Sequence, residues 1–110
     1  MDNPIFKKIE ELIQNNDVVL FMKGTADSPM CGFSATVVQI LNRMEVTFQA
    51  INILESEELR QGIKDYTNWP TIPQLYIRGE FVGGCDIVRE MYENGELAQI
   101  LQEQKIGSQG

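Results

Sequence analysis

The feature that most constrains this chain is the unbroken apolar run Val18-Val19-Leu20-Phe21-Met22, bounded by Asn15-Asn16-Asp17 before it and Lys23-Gly24 after it. It is too short for a buried helix and too uniform for a strand with one wet face, so it predicts a strand covered on both sides. Such a strand needs helices above and below its sheet, and the flanking sequence supplies them. Upstream, Ile5, Phe6, Ile9, Leu12 and Ile13 recur at helical spacing behind Pro4, which predicts an amphipathic first helix. Downstream, the residues from Phe33 to Met44 predict a second helix, and 46–53 alternates well enough to be a second strand. Strand, helix and strand in that length imply a right-handed parallel crossover.

The second half reads differently. Ser56 followed by Glu57 and Glu58 looks like a helix cap with acidic residues in the first turn, although Gly62 weakens the helix that follows. Trp69-Pro70-Thr71-Ile72-Pro73 ends helical structure, because each proline biases the residue before it toward extended geometry. Residues 74–77 and 80–82 flank Arg78-Gly79 as a hairpin. Gly83-Gly84-Cys85-Asp86 then reads as a turn whose aspartate caps a helix carrying Ile87, Val88, Met91 and Tyr92, and 96–104 predicts a last helix. A parallel crossover followed by an antiparallel hairpin gives an α/β fold of the thioredoxin-like layout, a four-stranded mixed sheet flanked by helices on both faces. A single domain over 1–106 and a disordered tail at 107–110 account for the 110 residues.

Charge and residue usage narrow the function. Nine basic residues against sixteen acidic ones give a net charge of −7, which argues against a sequence-independent grip on nucleic acid or an anionic membrane. There is no histidine, so the usual general base and the commonest zinc ligand are both missing. Two cysteines far apart make no disulfide framework and fit a reducing compartment or reactive thiols. No apolar run approaches the roughly 20 residues that span a bilayer, and the first residues resemble neither a signal nor a transit peptide. The expected location is the bacterial cytoplasm, or an organelle matrix if a presequence has been removed.

The chemistry concentrates at Cys31-Gly32-Phe33-Ser34. Cys31 follows Pro29-Met30 at the junction of a loop and a helix, where unpaired N–H groups of the first turn favour a thiolate. A C-x-x-C redox pair would need a thiol at position 34, which is serine, so no local disulfide can form. Cys31 as a buried structural thiol is the plainer alternative. Lys23 and Arg60 read by themselves as solvated charges, and Trp69 and Phe33 as core or groove-wall aromatics.

With Lys23, Cys31-Gly32-Phe33-Ser34, Trp69-Pro70-Thr71-Ile72-Pro73-Gln74 and Gly83-Gly84-Cys85-Asp86 in this order, the chain resembles the monothiol glutaredoxins of the CGFS type from about residue 18 to residue 101. That resemblance implies a groove for glutathione beside the active cysteine and a 2Fe-2S cluster shared by a homodimer. The cluster ligands would be Cys31 of each subunit and the sulfur of one glutathione bound to each. It implies transfer of the cluster to acceptor apoproteins, partnership with a BolA-like protein, and weak disulfide-reducing activity. Lys23 matches a basic residue that neutralises the thiolate or the glutathione glycine carboxylate, and Arg60 matches the helix-three arginine that reaches the same carboxylate. Ile72 matches the position whose backbone pairs with the cysteinyl unit, and Pro73 matches a cis-proline. Cys85 and Asp86 match the turn that holds the γ-glutamyl end. Gly32 and Phe33 line the cluster side, and Trp69 walls the groove. Cys85 reads equally as a resolving thiol or as a small residue in a tight turn. A glutathione-dependent thiol-disulfide oxidoreductase that removes glutathione from proteins is the alternative to the carrier. A binding adaptor with a vestigial site is a third reading.

Overall fold

The computed structural model describes residues 3–104, so the expected tail and the end of the 1–106 domain lie outside the described residues. Helix α1 (Pro4–Gln14) opens with proline in its first turn, and the Asn3 side chain accepts the Ile5 N–H at 3.0 Å. Strand β1 (Val18–Met22) is buried at every position. Helix α2 (Gly32–Arg43), strand β2 (Gln49–Asn52) and a single 3-10 turn (Ile53–Glu55) follow. Helix α3 (Glu57–Thr67), the hairpin β3 (Gln74–Ile77) and β4 (Glu80–Gly83), and helices α4 (Cys85–Asn94) and α5 (Glu96–Glu103) complete the order. The sheet runs β2-β1-β3-β4, with β1 parallel to β2 and antiparallel to β3, and β3 antiparallel to β4.

Because side chains alternate across a strand, β1 divides the interior into two cores. Val18, Leu20 and Met22 join Val37, Leu41, Val88, Leu97 and Leu101 from α2, α4 and α5. Val19 and Phe21 join Ile9, Ile13, Leu59, Ile63 and Tyr76, so α1 and α3 cover the opposite face. Burying one such large apolar side chain contributes roughly 1.5–3 kcal/mol. This is the doubly covered strand that the opening apolar run required.

Three local expectations change. Strand β2 begins at Gln49 rather than at 46, because the chain is still tied to the end of α2. The Glu45 N–H donates to the Asn42 carbonyl, the Val46 N–H donates to the Leu41 carbonyl, and Glu45 adopts a φ of 58°. Helix α3 runs unbroken through Gly62, whose missing side chain lets α1 approach: a Cβ there would lie 2.8 Å from Ile5 Cγ1. Helix α4 starts at Cys85 with Gly84 as its cap, so Asp86 lies in the first turn instead of capping it. Its carboxylate still suits the positive end of the helix. At the hairpin, Arg78 and Gly79 both take positive φ, 53° and 82°, the pattern of a two-residue type I′ turn.

Candidate functional site

A groove of about 510 Å³ gathers residues from four stretches that are distant in sequence. Lys23, immediately after β1, meets Cys31 and Phe33 at the start of α2. The segment 69–73 between α3 and β3 supplies Trp69, Pro70, Thr71, Ile72 and Pro73. Gly84, Cys85, Asp86 and Ile87 come from the start of α4, and Lys64 from α3.

Cys31 is the N-cap residue of α2, with extended backbone angles. Its thiol makes no closed capping hydrogen bond. The backbone N–H of Ser34 does most to hold its pKa below the ordinary thiol value; partial burial opposes, and the Phe33 N–H, the Lys23 charge and the Ser34 hydroxyl assist. The loop that delivers it is closely determined. Gly24 turns at a φ of 94° and donates its N–H to the Asn52 side chain at 3.0 Å, while the Met30 N–H returns to the Lys23 carbonyl at 2.9 Å.

Ser34, where a C-x-x-C motif would carry its second thiol, is fully buried, and its hydroxyl accepts the Lys23 N–H at 3.1 Å. The serine therefore pins the end of β1 to the first turn of α2 while favouring the Cys31 thiolate. Its sequence signal was read only as an absence. The two cysteines differ in character. Cys85 is 8% exposed, and burial pushes its pKa up, with Asp86 and the Cys31 sulfur acting the same way against Arg89 and the Thr36 hydroxyl. The groove thus holds one thiol that ionises more readily than an ordinary cysteine and one that ionises less readily.

The segment 69–73 contains the expected cis peptide, Ile72-Pro73, and Ile72 is buried. Trp69 packs on Phe81 with ring centroids 5.5 Å apart. Gly84 sits so close that a Cβ would lie 3.2 Å from the Pro73 carbonyl oxygen and 3.5 Å from Trp69 Nε1. The groove is therefore pinched between the two segments.

Of the residues singled out from sequence, Lys23, Cys31, Phe33, Trp69, Ile72, Pro73, Cys85 and Asp86 line the groove, and Gly32 and Arg60 do not. Gly32 is exposed, and a Cβ there would meet nothing within 4 Å. On α3 the lining cation is Lys64. It lies four residues beyond Arg60 on the same helix face, a spacing that could have drawn attention to it. Asp86 turns its carboxylate outward to Arg89, 3.2 Å away. Met30 and Phe33, 70% and 62% exposed, give the start of α2 an apolar rim.

The sheet defines the class first: a thioredoxin-like protein, with Cys31 at the start of the helix that follows its first strand. The chain belongs to the glutaredoxin family, whose family model matches residues 18–82, and its Cys31-Gly32-Phe33-Ser34 sequence and its relatives place it among the CGFS-type monothiol glutaredoxins. It is 58% identical to probable monothiol glutaredoxin 2 of Rickettsia conorii over 93% of this chain and 95% of the relative. It is 60% identical to the chloroplastic monothiol glutaredoxin-S14 of Arabidopsis thaliana over 86% of this chain and 55% of that longer protein. Among solved structures, a monomeric truncated mutant of Trypanosoma brucei 1-C-Grx1 superposes with a TM-score of 0.87 at 37% identity, covering 96% of each chain. Reduced apo GrxS14 of poplar gives a TM-score of 0.78 at 55% identity, covering 88% of this chain and 89% of the other.

Proposed function

We propose that this glutaredoxin is a glutathione-dependent carrier of 2Fe-2S clusters, with the cluster as its cargo. The observation that carries the reading is a Cys31 thiolate favoured by the start of α2, at a groove that also presents Lys23 and Lys64. The volume of about 510 Å³ suits a ligand the size of a tripeptide. The lysines suit an anionic one in a chain of net charge −7. A 2Fe-2S cluster takes four thiolate-type ligands, and Cys31 offers one. Two copies, each bringing one glutathione, complete the set, and the exposed Phe33 and Met30 beside Cys31 give the facing copies apolar surface to bury. Buried Ser34 leaves Cys31 without a vicinal thiol to draw it into a disulfide. Acceptor apoproteins and a BolA-like protein are the partners this reading requires.

Anaerobic reconstitution with iron, sulfide and glutathione tests the proposal. The expected result is visible charge-transfer absorption together with a shift from monomer to dimer, both lost in Cys31→Ser. A colourless monomer, or unchanged cluster uptake by the variant, overturns it.

The same thiolate supports a second reading. Cys31 attacks the glutathione sulfur of a glutathionylated protein and releases the protein thiol; a free glutathione thiolate then attacks the Cys31 mixed disulfide, leaving oxidised glutathione and the restored thiolate. Turnover on a glutathionylated peptide no faster than glutathione alone removes this reading.

A further inference from the structure

Among the described residues, no backbone–backbone hydrogen bond holds any of residues 69–73, although all five line the groove. The segment is held by side chains instead. The Thr67 hydroxyl accepts the Trp69 N–H at 3.1 Å, and Gln74 Nε2 donates to the Trp69 carbonyl at 3.1 Å and to the Thr71 carbonyl at 3.2 Å. The opposite end of the Gln74 amide, Oε1, accepts the Tyr76 hydroxyl at 3.4 Å. Gln74 is fully buried, opposite Phe21 in the register of β1 and β3. A buried amide is costly unless its polar atoms are satisfied. An apolar residue would fill that place more cheaply if filling were its only task.

We propose that Gln74 is a positioning residue for the glutathione groove: with Thr67 it clamps the backbone of Trp69 and Thr71 from behind, so that the wall stands ready before a ligand arrives. This deepens the reading of the groove as a glutathione site and rests on it. Both backbone polar groups of Trp69 are engaged, the N–H by Thr67 and the carbonyl by Gln74, while the Thr71 carbonyl ties an otherwise exposed residue to the sheet. Ile72 follows directly and inherits its placement from Thr71. A wall fixed in this way spares the ligand the ordering of a loop, which is how preorganisation raises affinity.

The test must separate clamping from core stability. Gln74→Met alone would also take from the buried Tyr76 hydroxyl its Gln74 acceptor, so Gln74→Met is made in a Tyr76→Phe background, which leaves the Trp69 and Thr71 carbonyls as the groups deprived of the amide. Tyr76→Phe alone keeps both Nε2 donors and serves as the reference. Reduced glutathione is titrated anaerobically by calorimetry, with Cys31 alkylation rate, urea midpoint and amide exchange at Trp69 measured alongside. The expected outcome for the double variant is roughly tenfold weaker glutathione binding than the reference. It should come with exchange of the Trp69 amide, the one N–H of the wall that is hydrogen-bonded, faster by about tenfold or more, and with alkylation rate and midpoint close to the reference. Thr67→Val, which removes the hydroxyl that accepts the Trp69 N–H and donates to the Ile63 carbonyl at 2.9 Å, should move binding and exchange the same way by a smaller amount. It also decides the matter if the double variant does not fold. Binding within about twofold of the reference, or exchange at the wall unchanged, overturns the proposal. Failure of the glutathione reading itself would appear as no binding by the unmutated protein; the proposal would then fall with it, even if exchange still revealed the clamp.

Discussion

Gly62→Ala has a sign that the helix alone gets wrong. In a helix interior, alanine in place of glycine stabilises by about 0.8–1 kcal/mol, and α3 by itself invites the change. Against α1, the new Cβ would lie 2.8 Å from Ile5 Cγ1, 2.9 Å from Cγ2 and 3.5 Å from Cβ. Both close atoms are attached directly to the branching carbon, so rotation about χ1 exchanges one for the other and relieves little. Phe6 and Tyr66, packed edge to face at 5.5 Å, hold the same two helices together next to the contact. Overpacking of this kind costs about 1–3 kcal/mol, which leaves a net destabilisation near 1 kcal/mol. The corresponding fall in Tm is about 4–8 °C. Urea unfolding of the wild type, Gly62→Ala, Ile5→Ala and the double variant closes a thermodynamic cycle. In the Ile5→Ala background the methyl has room, so Gly62→Ala should stabilise by up to about 1 kcal/mol, and the coupling should fall near 1–3 kcal/mol. A Gly62→Ala variant more stable than wild type, with coupling near zero, would refute the close approach of α1 and α3.

Four further outcomes follow from the site. Ser34→Ala leaves the Lys23 N–H without its acceptor and should cost about 1–3 kcal/mol in urea unfolding. It should also move the pH profile of Cys31 alkylation to higher pH, since a hydroxyl that favours the thiolate is gone; an unmoved profile rejects that role. In the wild type, the depressed Cys31 pKa gives stability that is present above the ordinary thiol value of 9.0 and is lost as pH falls through the folded pKa; Cys31→Ser should remove that pH-dependent component. Lys64→Gln should weaken glutathione capture severalfold, by roughly 1 kcal/mol or less for a partly exposed charge, and more than Arg60→Gln does; the reverse order in calorimetry would restore Arg60 as the principal cation. Gly24→Ala places a Cβ 2.6 Å from both Met30 N and Ser28 O at a φ of 94°. It should cost about 2 kcal/mol or more and slow Cys31 alkylation at neutral pH, and a neutral result would show that the loop yields freely.

What sequence makes legible here is what depends on local pattern. Five apolar residues in a row demanded two-sided cover, and β1 received it from two separate cores. Gly79 marked the hairpin because glycine freely accepts the positive φ of a two-residue type I′ turn, and Arg78 takes the other at a φ of 53°. The strand after α2 was overextended because Val46, apolar and buried, belongs to the helix end through its N–H to Leu41, a bond that hydrophobic pattern does not encode. Gly62 looked like a flaw in α3 because its reason lies on α1, fifty-seven positions away in the chain (62 − 5 = 57). At the site, Cys31 and the segment 69–73 announced themselves by chemistry and proline content. Lys64 did not, since one lysine on a charged helix looks like any other until the groove is built. Gln74 and Ser34 were hidden for the same reason, as their value lies in which backbone atoms they reach.

The lysines at the groove sit on a body of opposite sign, and ionic strength therefore acts on the two in opposite directions. Lys23 and Lys64 attract a small anion over a few ångströms, an attraction that added salt screens, so glutathione capture should weaken as salt rises. Two whole chains approaching each other each carry −7, and they repel across distances beyond the Debye length of about 10 Å at 0.1 M. Salt relieves that repulsion and favours encounter between copies. A glutathione titration and a dimerisation isotherm run along the same salt series should slope in opposite senses, and on the proposed carrier reading the ionic strength at which both remain tolerable would set the window in which two chains and two tripeptides meet at one place.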